Sequence, residues 1–136
     1  MSSYVVDSSA IGPLLFADES DDLIPGFADI IEVGDCIVPQ HWELEVANQL
    51  IMGLRRSRTT DELAQQSLTM LRVLPIAIDD ETGLRVPEIY QIALRNGLTI
   101  YDAAYAELAL RTDATLVTFD RRLRDAAVAL EIPLLP

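Results

Sequence analysis

Two aspartates in this sequence come directly after short runs of apolar residues. Asp7 follows the run 4–6, and Asp120 follows the run 114–119. Because β-branched and aromatic runs predict strands, both carboxylates are expected at the carboxyl ends of strands. Each aspartate is equally well placed to cap the helix that follows it. Carboxylate oxygens are also the ligands that Mg²⁺ and Mn²⁺ prefer, so the two positions favour metal-assisted chemistry as well.

Two further acids lie in predicted helices. Asp102 comes three residues after Thr99, which is the spacing of a capping box. Whether it caps the helix or binds a metal, its carboxylate is expected at the helix N-terminus. Glu45 lies in the first turns of a helix predicted over 41–58, away from the apolar face of that helix. Glu43 competes with Glu45 for the same role, and helical periodicity does not choose between them. A solvated surface glutamate is the alternative for both.

Acids from four separate segments would repel one another at a single sheet edge unless cations lay between them. Mg²⁺ or Mn²⁺ ions keep several bound waters and complete their coordination with substrate phosphate. Such ions lower the pKa of a bound water and stabilise charge on a scissile phosphate. The combination therefore favours phosphodiester hydrolysis without a protein nucleophile.

The elements that must position these acids alternate between strand and helix. Predicted strands cover 4–6, 36–38, 75–78, 114–119 and 133–135. Predicted helices cover 10–16, 21–33, 41–58, 61–74, 79–95, 100–112 and 121–130. This alternation predicts an α/β three-layer sandwich, with a mostly parallel central sheet of about five strands and helices on both faces. In such folds ligands bind at the carboxyl ends of the strands, where the strand order reverses.

Length and composition point to one intracellular domain. The 136 residues suit a single domain over 1–136, and half of them are hydrophobic. The single cysteine, Cys36, cannot form an internal disulfide, which favours a reducing cytoplasm. We expect no membrane span, because no apolar run approaches about 18 residues, and no signal peptide.

The charge is strongly acidic. Twenty-two acids against ten arginines, with no lysine, leave a formal net charge of −12. Bulk attraction to nucleic acid is therefore not expected, because phosphate affinity normally rests on basic groups. For most of the acids the excess indicates a soluble surface. For a few of them it is compatible with cation binding.

Several other enzyme classes are disfavoured by missing residues. A receiver domain would normally need a lysine, and a haloacid-dehalogenase-type phosphatase expects aspartate where Ser9 stands. No glycine-rich turn predicts a nucleotide cofactor. One cysteine and one histidine exclude zinc chemistry in practice, and a Ser–His–Asp hydrolase would have to use His41 without a nucleophile elbow.

Around the four acids the sequence resembles PIN-domain nucleases, and specifically the VapC toxins of bacterial and archaeal toxin–antitoxin pairs. The matching segments occur in the family's order and spacing over almost the whole chain. They cover 5–10, 38–48, 98–105 and 116–123. The family's helical acid is followed by an apolar residue, alanine and asparagine, which favours Glu45 over Glu43.

The resemblance implies a site and a set of partners. Asp7, Glu45, Asp102 and Asp120 would be the catalytic, metal-binding acids, with one or two Mg²⁺ or Mn²⁺ ions. The side chains of Ser9, Thr118 and Asn48 would support them, the two hydroxyls at the first and last acids and the amide at Glu45 or a water. The implied substrate is RNA, and family members are typically homodimers inhibited by a VapB-type antitoxin. A nuclease-like module that binds a partner without cleaving is the alternative.

Basic residues near the acids are candidates for substrate contact. Arg121 and Arg122 follow Asp120 directly, where a guanidinium group would reach a phosphate. Ion pairing with surface acids is the alternative for these two arginines and is slightly favoured for at least one of them.

Overall fold

The central sheet is parallel and has four strands. The computed structural model of the chain describes residues 3–22 and 24–135. The strands are β1 (Tyr4–Val6), β2 (Cys36–Val38), β3 (Ile76–Ile78) and β4 (Thr115–Val117), in the order β3-β2-β1-β4. Successive strands β1 to β3 advance to one side, and β4 then pairs with the other side of β1. This reversal of strand order lies between β1 and β4, where an open α/β sheet forms its ligand crevice.

Seven α-helices and three short 3-10 turns surround this sheet in the described residues. The helices are α1 (Gly12–Leu15), α2 (Phe27–Glu32), α3 (Trp42–Arg55), α4 (Asp61–Val73), α5 (Val86–Asn96), α6 (Ile100–Thr112) and α7 (Arg121–Ala129). The 3-10 turns cover Ser8–Ile11, Ala17–Asp22 and Thr82–Arg85.

Helices cover both faces of the sheet. Neighbouring strand residues point to opposite faces, yet Val5 and Val6 are both fully buried, as are Leu116 and Val117. Such runs are typical of parallel strands that are covered on both sides. Helix α6 is buried on almost every side from Ala103 to Ala109, as expected of a helix in the core. The predicted α/β sandwich is confirmed.

The prediction of about five strands exceeds what the structure has. The segment predicted as a last strand, 133–135, forms only an isolated parallel bridge between Leu134 and Leu116. The predicted strand 114–119 is paired only over β4, since Thr118 and Phe119 leave the ladder to form the loop before α7.

Two predicted helices differ more clearly from the structure. The prediction over 10–16 is replaced by a 3-10 turn at 8–11 followed by α1, whose first turn holds Pro13. The prediction over 21–33 is wrong in its first half. Gly26 has a φ of 79°, in the left-handed region that favours glycine, so α2 begins only at Phe27. Leu23, which this prediction included, lies outside the described residues.

The other helix predictions hold apart from their ends. The prediction over 41–58 corresponds to α3. In the prediction over 79–95, residues 79–81 are not helical, residues 82–85 form a 3-10 turn, and α5 begins at Val86. Gly97, in a left-handed conformation, ends α5 one residue beyond the predicted end at 95. In the part of the chain that the structure describes, every helix is too short or too polar to cross a lipid bilayer.

Candidate active site

Asp7 occupies the crevice where the strand order reverses. It follows β1 directly, its backbone N–H donates to Val117 O of β4, and its side chain is buried. Its place before the turn 8–11 suggested a helix cap, but its side chain makes no capping hydrogen bond. The carboxylate therefore does not perform the capping role that the sequence offered as an alternative.

Two hydroxyl groups hold the Asp7 carboxylate. Ser9 Oγ and Thr118 Oγ1 each donate to Asp7 Oδ2 at 2.7 Å. The same two oxygens accept hydrogen bonds from the backbone N–H groups of Phe119 and Asp120, both at 3.0 Å. The hydroxyls therefore orient Asp7 and join it to the loop after β4. The hydroxyl of Thr118 therefore contacts the carboxylate of Asp7, whereas it contacts only the backbone N–H of Asp120.

Glu45 is the acid of α3 that lies beside Asp7. Tyr105 Oη donates a hydrogen bond to Glu45 Oε1, and Ser8 Oγ lies 3.4 Å from the same oxygen. Ser8 Oγ also lies 3.5 Å from Asp7 Oδ1, so one hydroxyl bridges the two acids. His41 Nε2 is 3.6 Å from Glu45 Oε1.

The neighbouring polar side chains of α3 have different surroundings. Glu43 is exposed, and its Oε2 lies 3.6 Å from the Nε atom of an arginine on α4. Asn48 was expected to orient either Glu45 or a water, and among the described residues it makes no hydrogen bond to Glu45. Gln49 Nε2 instead donates to Ser8 O at 2.7 Å. The geometry therefore separates Glu45 from Glu43, which the helical periodicity left open.

Asp102 lies in the first turn of α6. Its backbone N–H donates to Thr99 Oγ1 at 3.1 Å, so Thr99 caps the helix as its spacing predicted. The pKa of Asp102 is raised to about 6, chiefly by burial and then by the negative charges of Asp7 and Asp120. Asp102 therefore lies within electrostatic reach of the acids that follow β1 and β4.

Asp120 has a structural role as well as a place beside the other acids. Its Oδ1 accepts from the backbone N–H of Leu123 at 3.1 Å, which caps α7. The capping interpretation is therefore correct for this residue. In the described part of the chain Oδ2 of Asp120 has no hydrogen-bond partner, so the cap leaves one carboxylate oxygen available.

Asp7, Glu45, Asp102 and Asp120 are called the acid cluster below. Burial raises the pKa of Asp7, hydrogen bonds from Thr118 and Ser9 lower it, and the charges of Glu45 and Asp120 raise it again. The charges of Asp7, Asp120 and Glu45 likewise raise the pKa of Asp102, so each of these acids lies close enough to disfavour the ionised form of a neighbour.

No arginine neutralises the acid cluster within residues 3–22 and 24–135. The arginine–carboxylate pairs found there all involve other acids. Arg124 contacts the site only through its Nη1, which donates to Thr118 O at 2.9 Å. Arg121 and Arg122 are exposed, and neither forms an ion pair with a described residue. The surface pairing that was the alternative for these two arginines is therefore not found.

Two residues of the site were not singled out from the sequence. Tyr105 comes three residues after Asp102 and so shares its side of α6, a spacing that would have placed it near the acids. Its hydrogen-bond partner, Glu45, is 60 residues away in the chain, and this pairing has no local signal. Ser8 lies within the matching segment 5–10 but was given no role of its own.

The donor chemistry of the acid cluster fits a hard divalent cation. All four side chains offer carboxylate oxygens, which suit Mg²⁺ or Mn²⁺. Among the described residues no three acidic, histidine or cysteine side chains form a ready-made metal cage. Mg²⁺ does not require such a cage, since it is commonly held by one or two carboxylates, several waters and the substrate's phosphate.

Comparison with known proteins agrees with this geometry. The sequence profile of the PIN domain matches residues 4–129. Ribonuclease VapC3 of Pyrobaculum aerophilum is 32% identical over 95% of this chain and 98% of its own length. Ribonuclease VapC1 of Mycobacterium tuberculosis is 30% identical over 93% of this chain and 92% of its own length.

Solved structures share the fold. The crystal structure of PAE2754 from Pyrobaculum aerophilum has a TM-score of 0.69 and 28% identity, covering 92% of this chain and 86% of that one. VapBC-1 from nontypeable Haemophilus influenzae has a TM-score of 0.55 and 14% identity, covering 97% and 96%, and so shares the fold alone. Since the family profile spans nearly the whole chain and two relatives reach 30% identity over most of its length, the chain belongs to the PIN-domain family.

Proposed function

We propose that this chain is a metal-dependent endoribonuclease that hydrolyses RNA phosphodiester bonds. The observation that carries the proposal is the acid cluster, four carboxylates at the crevice of the sheet with no described arginine to neutralise them. The family membership and the two relatives named as ribonucleases support the choice of RNA as substrate.

Asp7, Glu45, Asp102 and Asp120 would hold one or two Mg²⁺ or Mn²⁺ ions. A bound ion supplies an activated water and stabilises negative charge on the scissile phosphate. The protein's own part is orientation. Ser9 and Thr118 fix Oδ2 of Asp7, which leaves its Oδ1 towards Ser8 and Glu45.

Tyr105 and the arginines of α7 have supporting roles in this proposal. The hydroxyl of Tyr105 holds Glu45 towards the other acids, and Tyr105 itself is fully buried. Arg121 and Arg122 are exposed one and two residues after Asp120, and their guanidinium groups would bind phosphates that flank the cleaved bond. This local positive charge offsets an overall charge that repels RNA.

The direct test is cleavage of RNA by the purified chain with Mn²⁺ and with a chelator, using a matched pair of glutamates on α3. We expect Glu45→Gln to lower the cleavage rate by about a hundredfold, because it removes a carboxylate from the metal site. Glu43→Gln should cleave like the parent, since its partner is an arginine on α4.

Two results would contradict the proposal. RNA cleavage that persists in the chelator would exclude the metal. A parent protein that binds RNA or a partner protein but never cleaves RNA would instead favour the non-catalytic interaction module.

The biological setting is a further part of the proposal. The resemblance to VapC toxins and the two relatives that carry that name support a cytoplasmic toxin that a VapB-type antitoxin inhibits. A homodimer is proposed on the same grounds. Light scattering should give 2 × 15.0 = 30.0 kDa for the purified chain, and a mass of 15.0 kDa would contradict the dimer.

A further inference from the structure

A pocket adjoins the acid cluster on the side of α3. It has a volume of about 430 Å³ and is lined by Ser8, His41, Leu44, Glu45, Asn48, Gln49 and Tyr101. This volume lies within the range of small-molecule sites. Ser8 and Glu45 belong both to the pocket and to the surroundings of Asp7, so the pocket opens directly beside the acids.

The lining of this pocket does not suit a phosphate. Glu45 is its only acid or base apart from His41, and no arginine lines it. An anionic group inside the pocket would lie against the carboxylate of Glu45, with no arginine in the pocket wall to offset the repulsion. A neutral ligand is therefore favoured.

The available groups suit a flat ring with polar edges. Tyr101, on α6, is 61% exposed, and Leu44, on α3, is 75% exposed. The Asn48 amide is exposed and has no hydrogen-bond partner among the described residues. Aromatic side chains stack on unpaired bases, and amide groups bond to the edges of bases, which is how single-stranded RNA is commonly recognised.

We propose that this pocket binds an unpaired nucleobase of the nucleotide next to the scissile phosphate. Tyr101 stacks on the base, Leu44 packs against it, and Asn48 hydrogen-bonds to its edge. The inference rests on the proposed function, because the phosphate at the acids is what brings the neighbouring base to the pocket. Base preference at this position would then depend on the pocket and not on the acid cluster.

The first arm of the test uses the four uncharged nucleosides, which need neither metal nor cleavage. In NMR titrations we expect at least one nucleoside to shift the backbone amides of Leu44, Asn48 and Tyr101, whereas free ribose should not. Tyr101→Ala should weaken this binding about fivefold or more, and Tyr101→Phe should preserve it, because stacking needs only the ring. Tyr90→Ala is the matched control, since Tyr90 is 52% exposed on α5 and does not line the pocket.

These substitutions should not disturb the fold. His41 Nε2 contacts the backbone oxygen of residue 101, at 3.1 Å, and not the phenol of Tyr101. The Tyr101 ring contacts His41 at a centroid distance of 5.5 Å, but most of the side chain faces solvent. Thermal unfolding within about 1 °C of the parent would verify that the fold is intact.

The second arm sequences the ends of a randomised RNA cut by each variant. We expect Tyr101→Ala to raise KM and weaken the base preference beside the cut, while Tyr90→Ala reproduces the parent pattern. The pocket proposal is overturned if no nucleoside shifts the pocket amides, or if Tyr101→Ala binds nucleosides like the parent. It is also overturned if N-acetyltryptophanamide, which stands in for an aromatic side chain of a protein, binds there more tightly than every nucleoside. Failure of the parent to cleave any RNA would overturn the proposed function, while the nucleoside titration would still decide the pocket.

Discussion

Asp7 and Asp79 occupy equivalent places in the chain and have opposite surroundings. Each comes directly after a strand, Asp7 after β1 and Asp79 after β3, and their exposed fractions are 4% and 6%. Asp79 accepts two hydrogen bonds from the guanidinium group of Arg111, at 2.8 and 3.1 Å. Among the described residues, the Asp7 side chain has hydroxyl donors only, from Ser8, Ser9 and Thr118.

The pKa values reflect this difference. Hydrogen bonding to Arg111 lowers the pKa of Asp79, whereas burial raises the pKa of Asp7. Glu107 also accepts a hydrogen bond from Arg111 Nε, at 2.9 Å, so Asp79, Glu107 and Arg111 form a second cluster, which contains its own positive charge. A buried acid that is paired with an arginine contributes to the fold, while a buried acid left among other acids retains its capacity for a cation.

Helix α6 contributes to both clusters. Asp102, in its first turn, belongs to the acid cluster. Arg111, in its last turn, neutralises Asp79 and Glu107. This arrangement agrees with the helix dipole, which favours negative charge at the N-terminus and positive charge at the C-terminus. One helix therefore contributes to both clusters, an acid at its first turn and an arginine at its last turn.

The largest expected effect is on RNA cleavage. Asp7→Asn should lower the cleavage rate by about 10² to 10³-fold, the size of effect that removing one preorganised electrostatic group has in other enzymes. Asp79→Asn should keep the parent rate at a temperature where both variants are folded. Gel assays of a labelled RNA with Mn²⁺ measure both rates. Equal losses in the two variants would remove the functional distinction between the two aspartates.

The second effect is on stability without metal. Asp79→Asn should lower the free energy of unfolding by about 3 kcal/mol, because it leaves the charge of Arg111 less well compensated. Asp7→Asn should raise it, since the neutral side chain relieves repulsion by Glu45 and Asp120. Urea unfolding in a chelator measures both values. If both variants were destabilised to the same extent, the acids around Asp7 would not be repelling one another.

The smallest effect is a dependence of stability on pH. The pKa of Asp102 is raised from 3.8 to about 6, so between these values the folded protein binds more protons than the unfolded chain. The metal-free protein should therefore gain stability as pH falls from about 6 towards 4, by about 1 kcal/mol after allowance for partial exposure.

A variant isolates this contribution from the other acids. Asp102→Asn should show a flatter stability curve between pH 6 and 4 than the parent, and an unchanged curve would contradict the assignment. The lowered pKa of Asp79 acts in a different range, because its contribution is lost only as pH falls below about 4.

Much of the fold could be predicted from local sequence. The apolar runs of β1 and β2 and the alternation of strands with helices led to the right architecture and placed Asp7 and Asp120 at the carboxyl ends of strands. That these two strands are neighbours, at the reversal of strand order, was known only from the structure. The first half of the helix predicted over 21–33 was wrong because Pro25 and Gly26 outweigh its apolar pattern, whereas the second half forms α2.

The distinction between Asp7 and Asp79 was beyond local sequence. Both follow a strand and precede a helical turn, and the arginine that separates their roles lies 32 residues after Asp79. Tyr105 and Glu45 are 60 residues apart in the chain, so their contact could not be predicted from the spacing of residues either. Local pattern predicts where a side chain leaves the backbone, whereas its charge partners depend on tertiary packing.

The central claim, that the acid cluster binds divalent cations, is tested most directly by thermal unfolding during a Mn²⁺ titration. At Mn²⁺ a hundredfold above its Kd, the melting temperature of the parent should rise by about 5 to 10 °C, because the ion binds only the folded state. Asp79→Asn should show the same rise from a lower starting point, and Asp7→Asn should show little or none. A parent that does not respond, or an Asp7→Asn variant that responds like the parent, would contradict the account.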